Sequence, residues 1–123
     1  MFSAFKKSIV ILGISAAAGL AQAAEFEDGF MAAQASDYTK AAAKLEPLAL
    51  KNDARAQFLL GTMYHNGAAG QMDEATAVKL YHKAAEGGVP EAQEYLAAAY
   101  QEGWFGLKKD EKQAKYWKDQ LAK

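Results

Sequence analysis

The chain has 123 residues, room for one domain with one hydrophobic core. Its 14 basic and 15 acidic residues show no basic cluster, which argues against nucleic acid or anionic lipid as a partner. It has no cysteine, so disulfides, thiolate metal sites, a cysteine nucleophile and the lipidated cysteine of a bacterial lipoprotein are all excluded.

Residues 1–23 read as a cleavable secretory signal. Lys6 and Lys7 give a positive start, Ile9 to Leu20 an apolar run, and Ala21-Gln22-Ala23 a small-residue cleavage site. The run is shorter than the roughly 20 apolar residues of a transmembrane helix. Cleavage before Ala24 removes two lysines and takes the net charge from −1 to about −3. The expected location is the periplasm, or outside the cell, with no membrane insertion after processing.

The remainder, 24–123, lacks the alternation that strands require and shows six helical stripes. Phe26, Phe30 and Ala33 form the first. Ala41, Leu45 and Leu48 form the second, within Asp37 to about Ala49. Ala56, Leu60, Met63 and Tyr64 form the third, and Ala77, Leu80, Tyr81, Ala84 and Ala85 the fourth. Ala92, Leu96 and Tyr100, then Ala114, Trp117 and Leu121, complete the set. Gly67, Gly88 and Gly103 follow helical runs, where positive φ favours glycine. Asp37, Asp73 and Asp110 precede runs as N-caps, Asp110 with Gln113 fits a capping box, and Pro90 suits a first helical turn.

These marks repeat. Ala56, Leu60, Tyr64 and Gly67 recur 36 residues later as Ala92, Leu96, Tyr100 and Gly103. Asp73, Ala77 and Leu80 recur 37 later as Asp110, Ala114 and Trp117, and Asp37, Ala41 and Leu48 lie 36 before Asp73, Ala77 and Ala84. A period in this range predicts an all-α fold, a short α/α superhelical solenoid of about three helix hairpins. The units are a degenerate pair at 24–52, one repeat at 53–89 and another at 90–123.

The stretch AQFLLGTMYHNGAAGQMDEATAVKLYHKAAEGG and its continuation AQEYLAAAYQEGWFGLKKDEKQAKYW resemble Sel1-like repeats, relatives of the tetratricopeptide repeat. The match spans Ala54 to about Leu121. It departs at Ala97, where the family favours glycine, and at residues 118–123, which lack the closing A-A-x-x-G. The resemblance implies a scaffold that binds proteins along the first helices of its hairpins. Partners of such proteins include signalling receptors, envelope assemblies, host proteins and secreted toxins.

Positions that the repeat leaves free are the candidate contacts. On the first helix of the first full repeat they are Arg55, Phe58, Thr62 and His65, with Leu59 beside them. On the next first helix they are Glu91, Glu94, Ala98 and Gln101, with Tyr95 beside them. Leu59 and Tyr95 stand where the family often has a polar residue, so they either form a contact surface or finish the packing. Trp104 and Phe105, in the loop GWFGLKK, either bind a partner or fold down over the last hairpin.

Catalytic groups do not converge in the sequence. His82, among Lys79, Lys83 and Glu86, reads as a solvated surface residue. His65 reads as a helix-terminal residue and a possible groove contact. Ser36 is the sole serine after the signal and fits a turn or cap. No metal, phosphate or hydrolase motif is present. Glu86, Glu91 and Glu94 form a hydrated face, with nothing in the sequence to desolvate them for glycosidic chemistry. The expectation is therefore a non-enzyme without cofactor or metal, binding a protein partner, with homodimerisation open. The alternatives are a peptidoglycan- or glycan-binding or hydrolysing envelope protein and a structural self-associating subunit.

Overall fold

A computed structural model describes the backbone of residues 2–123 and the side chains of residues 18–123. Lys6, Lys7 and the run from Ile9 up to residue 17 lie outside the described side chains. Six helices occur among the described residues, with no strand: α1 (Phe2–Gln34), α2 (Tyr38–Leu50), α3 (Ala54–Asn66), α4 (Glu74–Glu86), α5 (Pro90–Glu102) and α6 (Glu111–Leu121). Each packs on the next, giving three hairpins stacked in chain order as an all-α solenoid. The helix α1 continues unbroken through Ala21-Gln22-Ala23. Among the described residues, no helix is long and apolar enough to cross a membrane.

The caps form as the sequence suggests, with one addition. The Asp37 carboxylate accepts from Lys40 N, Asp73 from Thr76 N and Asp110 from Lys112 N and Gln113 N. Asp53, which the stripes do not single out, caps α3 by accepting from Arg55 N and Ala56 N. Each such cap is worth about 1 kcal/mol. Gly67, Gly88 and Gly103 have φ of 80°, 91° and 74°. The capping box at Asp110 is not completed, because the backbone N–H of Asp110 donates to Tyr100 O at 2.9 Å. Asp73 N likewise donates to Tyr64 O at 2.8 Å. In both full hairpins the cap residue thus ties the second helix to the first.

Two glutamines lock consecutive hairpins together. Gln57 Nε2 donates to Ala49 O at 3.1 Å, and Gln93 Nε2 donates to Ala85 O at 3.0 Å. Both side chains are buried, so the bond satisfies a group that would be costly to strand. Around them the core is mostly alanine and leucine: Ala41, Leu45, Ala56 and Leu60 on one side, Ala84, Ala92, Leu96 and Trp117 on the other.

Glycine at position 61 permits the close approach of α3 and α4. A Cβ there would meet Tyr81 Cε1 at 2.9 Å and Cδ1 at 3.0 Å. The equivalent of Gly61 in the next repeat is Ala97, and the equivalent of Tyr81 is Lys118. No ring has to be cleared there, which explains why alanine is accepted.

His82 departs from its expected solvated setting. It is half-buried in the joint between the last two hairpins, where its Nε2 shares a hydrogen bond of 3.1 Å with the Tyr100 hydroxyl. The Trp117 ring lies 6.3 Å away, edge to face. Burial lowers the His82 pKa below its usual value, while Glu86 pulls the other way. The Trp117 Nε1 finds no hydrogen-bond partner among the described residues.

Two outcomes follow from this packing. Gly61→Ala forces Tyr81 from its seat and lowers stability by about 1–3 kcal/mol in urea unfolding. The folded state holds His82 neutral, so below an ordinary histidine pKa of about 6.5 the unfolded chain binds more protons. Stability contributed by His82 is present above that pH and lost as pH falls toward the lowered folded value. Melting temperature should therefore drop on acidification, and His82→Gln should flatten part of that drop.

Candidate functional site

The free positions of α3 and α5 do not form one even stripe. They divide into three neighbourhoods, set by which helix each side chain leans on. Arg55 leans on α1: its guanidinium carbon stands 4.2 Å from the centre of the Phe26 ring, and its Nε lies 3.8 Å from Asp53 Oδ1. This is a cation held over an aromatic face at an exposed site, a contact worth about 0.5–1 kcal/mol.

Leu59 and Thr62 border a hollow of about 260 Å³ between α1 and α3, together with Phe30, Gln34, Tyr38 and Asn66. The Thr62 hydroxyl donates back to Leu59 O at 2.7 Å, so its proton is already used within α3. Leu59 is half-buried against the first core cluster.

The third neighbourhood is an aromatic ladder. Phe58 of α3 packs on Tyr81 of α4 at 5.7 Å between ring centres, and Tyr81 packs on Tyr95 of α5 at 4.1 Å. Tyr95 stacks on Phe105 at 5.2 Å, and Phe105 meets Trp104 edge to face at 6.1 Å. His65 closes the group, 4.6 Å from Phe105 and 5.9 Å from Tyr95. Its Nδ1 is 3.5 Å from the Tyr81 hydroxyl. Tyr81 is the member that the sequence reading placed in the core stripe. It is buried, yet its ring joins rungs from three helices.

The two tyrosines of the ladder are uncharged. Burial pushes the Tyr81 hydroxyl up to about 12. Burial, followed by the Tyr81 hydroxyl and Glu74, pushes Tyr95 up as well. Both phenols therefore keep their protons, and the Tyr95 hydroxyl has no hydrogen-bond partner among the described residues. Glu86, Glu91 and Glu94 are exposed. Among the described residues no group of three or more His, Asp or Glu side chains is placed to hold a metal ion.

The loop after α5 divides between the two roles open to it. Phe105 folds onto the ladder and adopts φ of 58°, a left-handed conformation unusual for a bulky aromatic residue. Such a backbone costs about 1–3 kcal/mol and persists because the stack with Tyr95 and His65 determines it. Trp104, next to it, stays 46% exposed. Gln101 belongs to none of these groups; its Oε1 accepts from Lys118 Nζ at 2.6 Å.

Of the residues singled out in the sequence, the fold thus gathers Phe58, His65, Tyr95, Trp104 and Phe105 and adds Tyr81. It sets Leu59 and Thr62 beside a separate hollow and leaves Arg55 and Gln101 apart. The signal for Tyr81 was its size: a tyrosine on an alanine-rich packing face reaches beyond its own helix.

Comparison with known proteins agrees with this architecture. The family model described as Sel1 repeat matches residues 54–89 and 90–118. Among solved structures, a Sel1 repeat protein from Oxalobacter formigenes superposes with a TM-score of 0.70 at 31% sequence identity, covering 82% of this chain and 79% of that one. No curated protein matches. Sel1 repeats generally mediate protein–protein interaction.

Proposed function

This chain belongs to the Sel1 repeat family, and from that premise we propose that it is an exported protein that binds a protein partner through the face carrying the aromatic ladder. The observation that carries the reading is the ladder itself. Packing and capping account for Ala56, Leu60, Gly61 and Gly67, while Trp104 remains exposed at the end of a continuous ring stack. Aromatic residues on a rigid support bind at low ordering cost and dominate interface energetics. The hollow at Leu59 and Thr62 gives the same partner a second, aliphatic seat.

Two features support export. The leader has the charge, apolar run and small-residue cleavage site of a secretory signal. In addition, the buried residues of α1 among those described, Gly29 and Ala32, and its bonds to later helices from Glu25 and Phe26 all lie after Ala23. A helix beginning at Ala24 would carry Glu25 and Glu27 in its first turn, where negative charge complements the helix dipole.

Two measurements test these claims. Mass analysis of the envelope fraction should find a chain that starts at Ala24; only full-length protein there would refute processing. A partner captured from envelope extract should be lost on Trp104→Ala, with affinity down by about 2 kcal/mol, roughly 30-fold. Leu59→Asn should weaken it too, whereas Gln101→Ala should not. Equal capture by all variants, with unchanged helical circular dichroism, would remove the ladder from the interface.

A further inference from the structure

On the other side of α3, away from the ladder, a slot of about 320 Å³ opens between α2, α3 and α4. Ala49, Leu60, Tyr64 and Leu80 give it apolar walls, and Glu46 and Lys83 border it. Leu50, also in its lining, is 86% exposed, an unusual state for a leucine in a short helical scaffold.

The same joint occurs again 36 or 37 residues later, between α4, α5 and α6. Leu60 and Tyr64 become Leu96 and Tyr100, and Ala49 becomes Ala85. The five other lining positions change: Glu46 becomes His82, Leu50 becomes Glu86, Thr76 becomes Gln113, Leu80 becomes Trp117 and Lys83 becomes Gln120. In this second joint the space is filled from within. The Trp117 ring is 4% exposed, stands against His82 and packs with Leu96 and Tyr100. The first joint shares the alanine, leucine and tyrosine walls but has neither of those two rings, and it has an apolar residue, Leu50, at the lip where the filled joint has the Glu86 carboxylate. Walls without partner atoms forgo dispersion contacts that an inserted ring would restore.

We propose that this slot is a docking site for the indole side chain of a tryptophan presented by a partner protein, which lays against Leu80 the ring that Trp117 supplies from within in the next joint. Ala49, Leu60, Tyr64 and Leu80 bury the ring. Glu46 supplies a carboxylate for the indole N–H, and Lys83 a cation for the ring face. Leu50 extends the apolar contact to the segment that carries the tryptophan.

The probe is N-acetyltryptophanamide titrated into the isotope-labelled chain and followed by amide chemical shifts. Saturable shifts at Ala49, Leu50, Tyr64 and Leu80 are expected, with a Kd of about 1 mM, as suits so small a ligand. N-acetylalaninamide at equal concentration should give none. Leu80→Trp copies the filler of the second joint into the first, and Leu50→Glu copies its lip. Each should weaken binding at least about tenfold, and the second changes only an exposed position, so the fold is kept. Absence of shifts at these amides, or unchanged affinity in both variants, overturns the proposal. Self-association of the free chain that Leu50→Glu abolishes would assign the slot to a second copy and also overturn it. Trp104→Ala should leave this titration intact, which separates failure here from failure of the aromatic face.

Discussion

Close approach of helix backbones at small side chains is the constraint on which the rest of the structure depends. Ala41, Ala56, Ala77, Ala84, Ala92 and Ala99 are almost wholly buried, and Gly29 and Gly61 sit where an added Cβ would press on Leu45 and Tyr81. Helices this near leave interior space for few large rings, and the buried ones, Tyr81 and Trp117, lie where hairpins meet. Phe58, Tyr95 and Phe105 are accordingly found at the edges of the helix contacts, on the ladder side. The buried glutamines Gln57 and Gln93 reinforce the spacing by tying each hairpin to the carbonyl end of the one before. Surface chemistry in this molecule is thus a consequence of interior size.

That dependence explains what could be read in the sequence and what could not. Helix ends were legible because glycine with positive φ and aspartate before a run act within a few residues. The stacking order was legible because the repeat spacing is carried by the small residues themselves. Tyr81, by contrast, follows its packing stripe like any core residue. Its membership in the ladder depends on the reach of its ring toward Phe58 and Tyr95, on two other helices. His82 misled for the same reason: three charged neighbours along its own helix suggest solvent, but Tyr100 and Trp117 come from elsewhere and cover it. Asp53 and the two glutamines were hidden because polar residues in helical sequences are ordinarily surface residues.

The loop from Gly103 to Asp110 illustrates how one insertion alters a repeat. The change in spacing from 36 to 37 falls in this segment, and the extra length lets Phe105 turn back onto Tyr95 and His65. Its left-handed backbone is the local cost, offset by two ring contacts. Trp104 is held at the edge by the same turn. An exposed tryptophan beside a fixed ring is preorganised, so a partner does not have to order a loop before gaining its contact.

The outer helix of the last hairpin differs in chemistry from its equivalent one repeat earlier, and this bears on self-association. On α4, Val78 and Tyr81 are buried, and Tyr81 packs on Tyr95 of the next hairpin; 37 residues on, α6 has Lys115 and Lys118 in their place and Asp119 in the place of His82. Lys115 pairs with Asp119 at 2.8 Å and Lys118 with Gln101, around an open hollow of about 440 Å³ over Ala114. Adding another hairpin here would strip water from two ammonium groups and a carboxylate, a loss that surface ion pairs in water do not repay. Stacking through α6 is therefore opposed by the same positions that drive it one repeat earlier. Two exposed apolar side chains sit instead beside preformed contacts: Trp104 at the end of the ladder and Leu50 at the lip of the joint that has leucine where the next has the Trp117 ring.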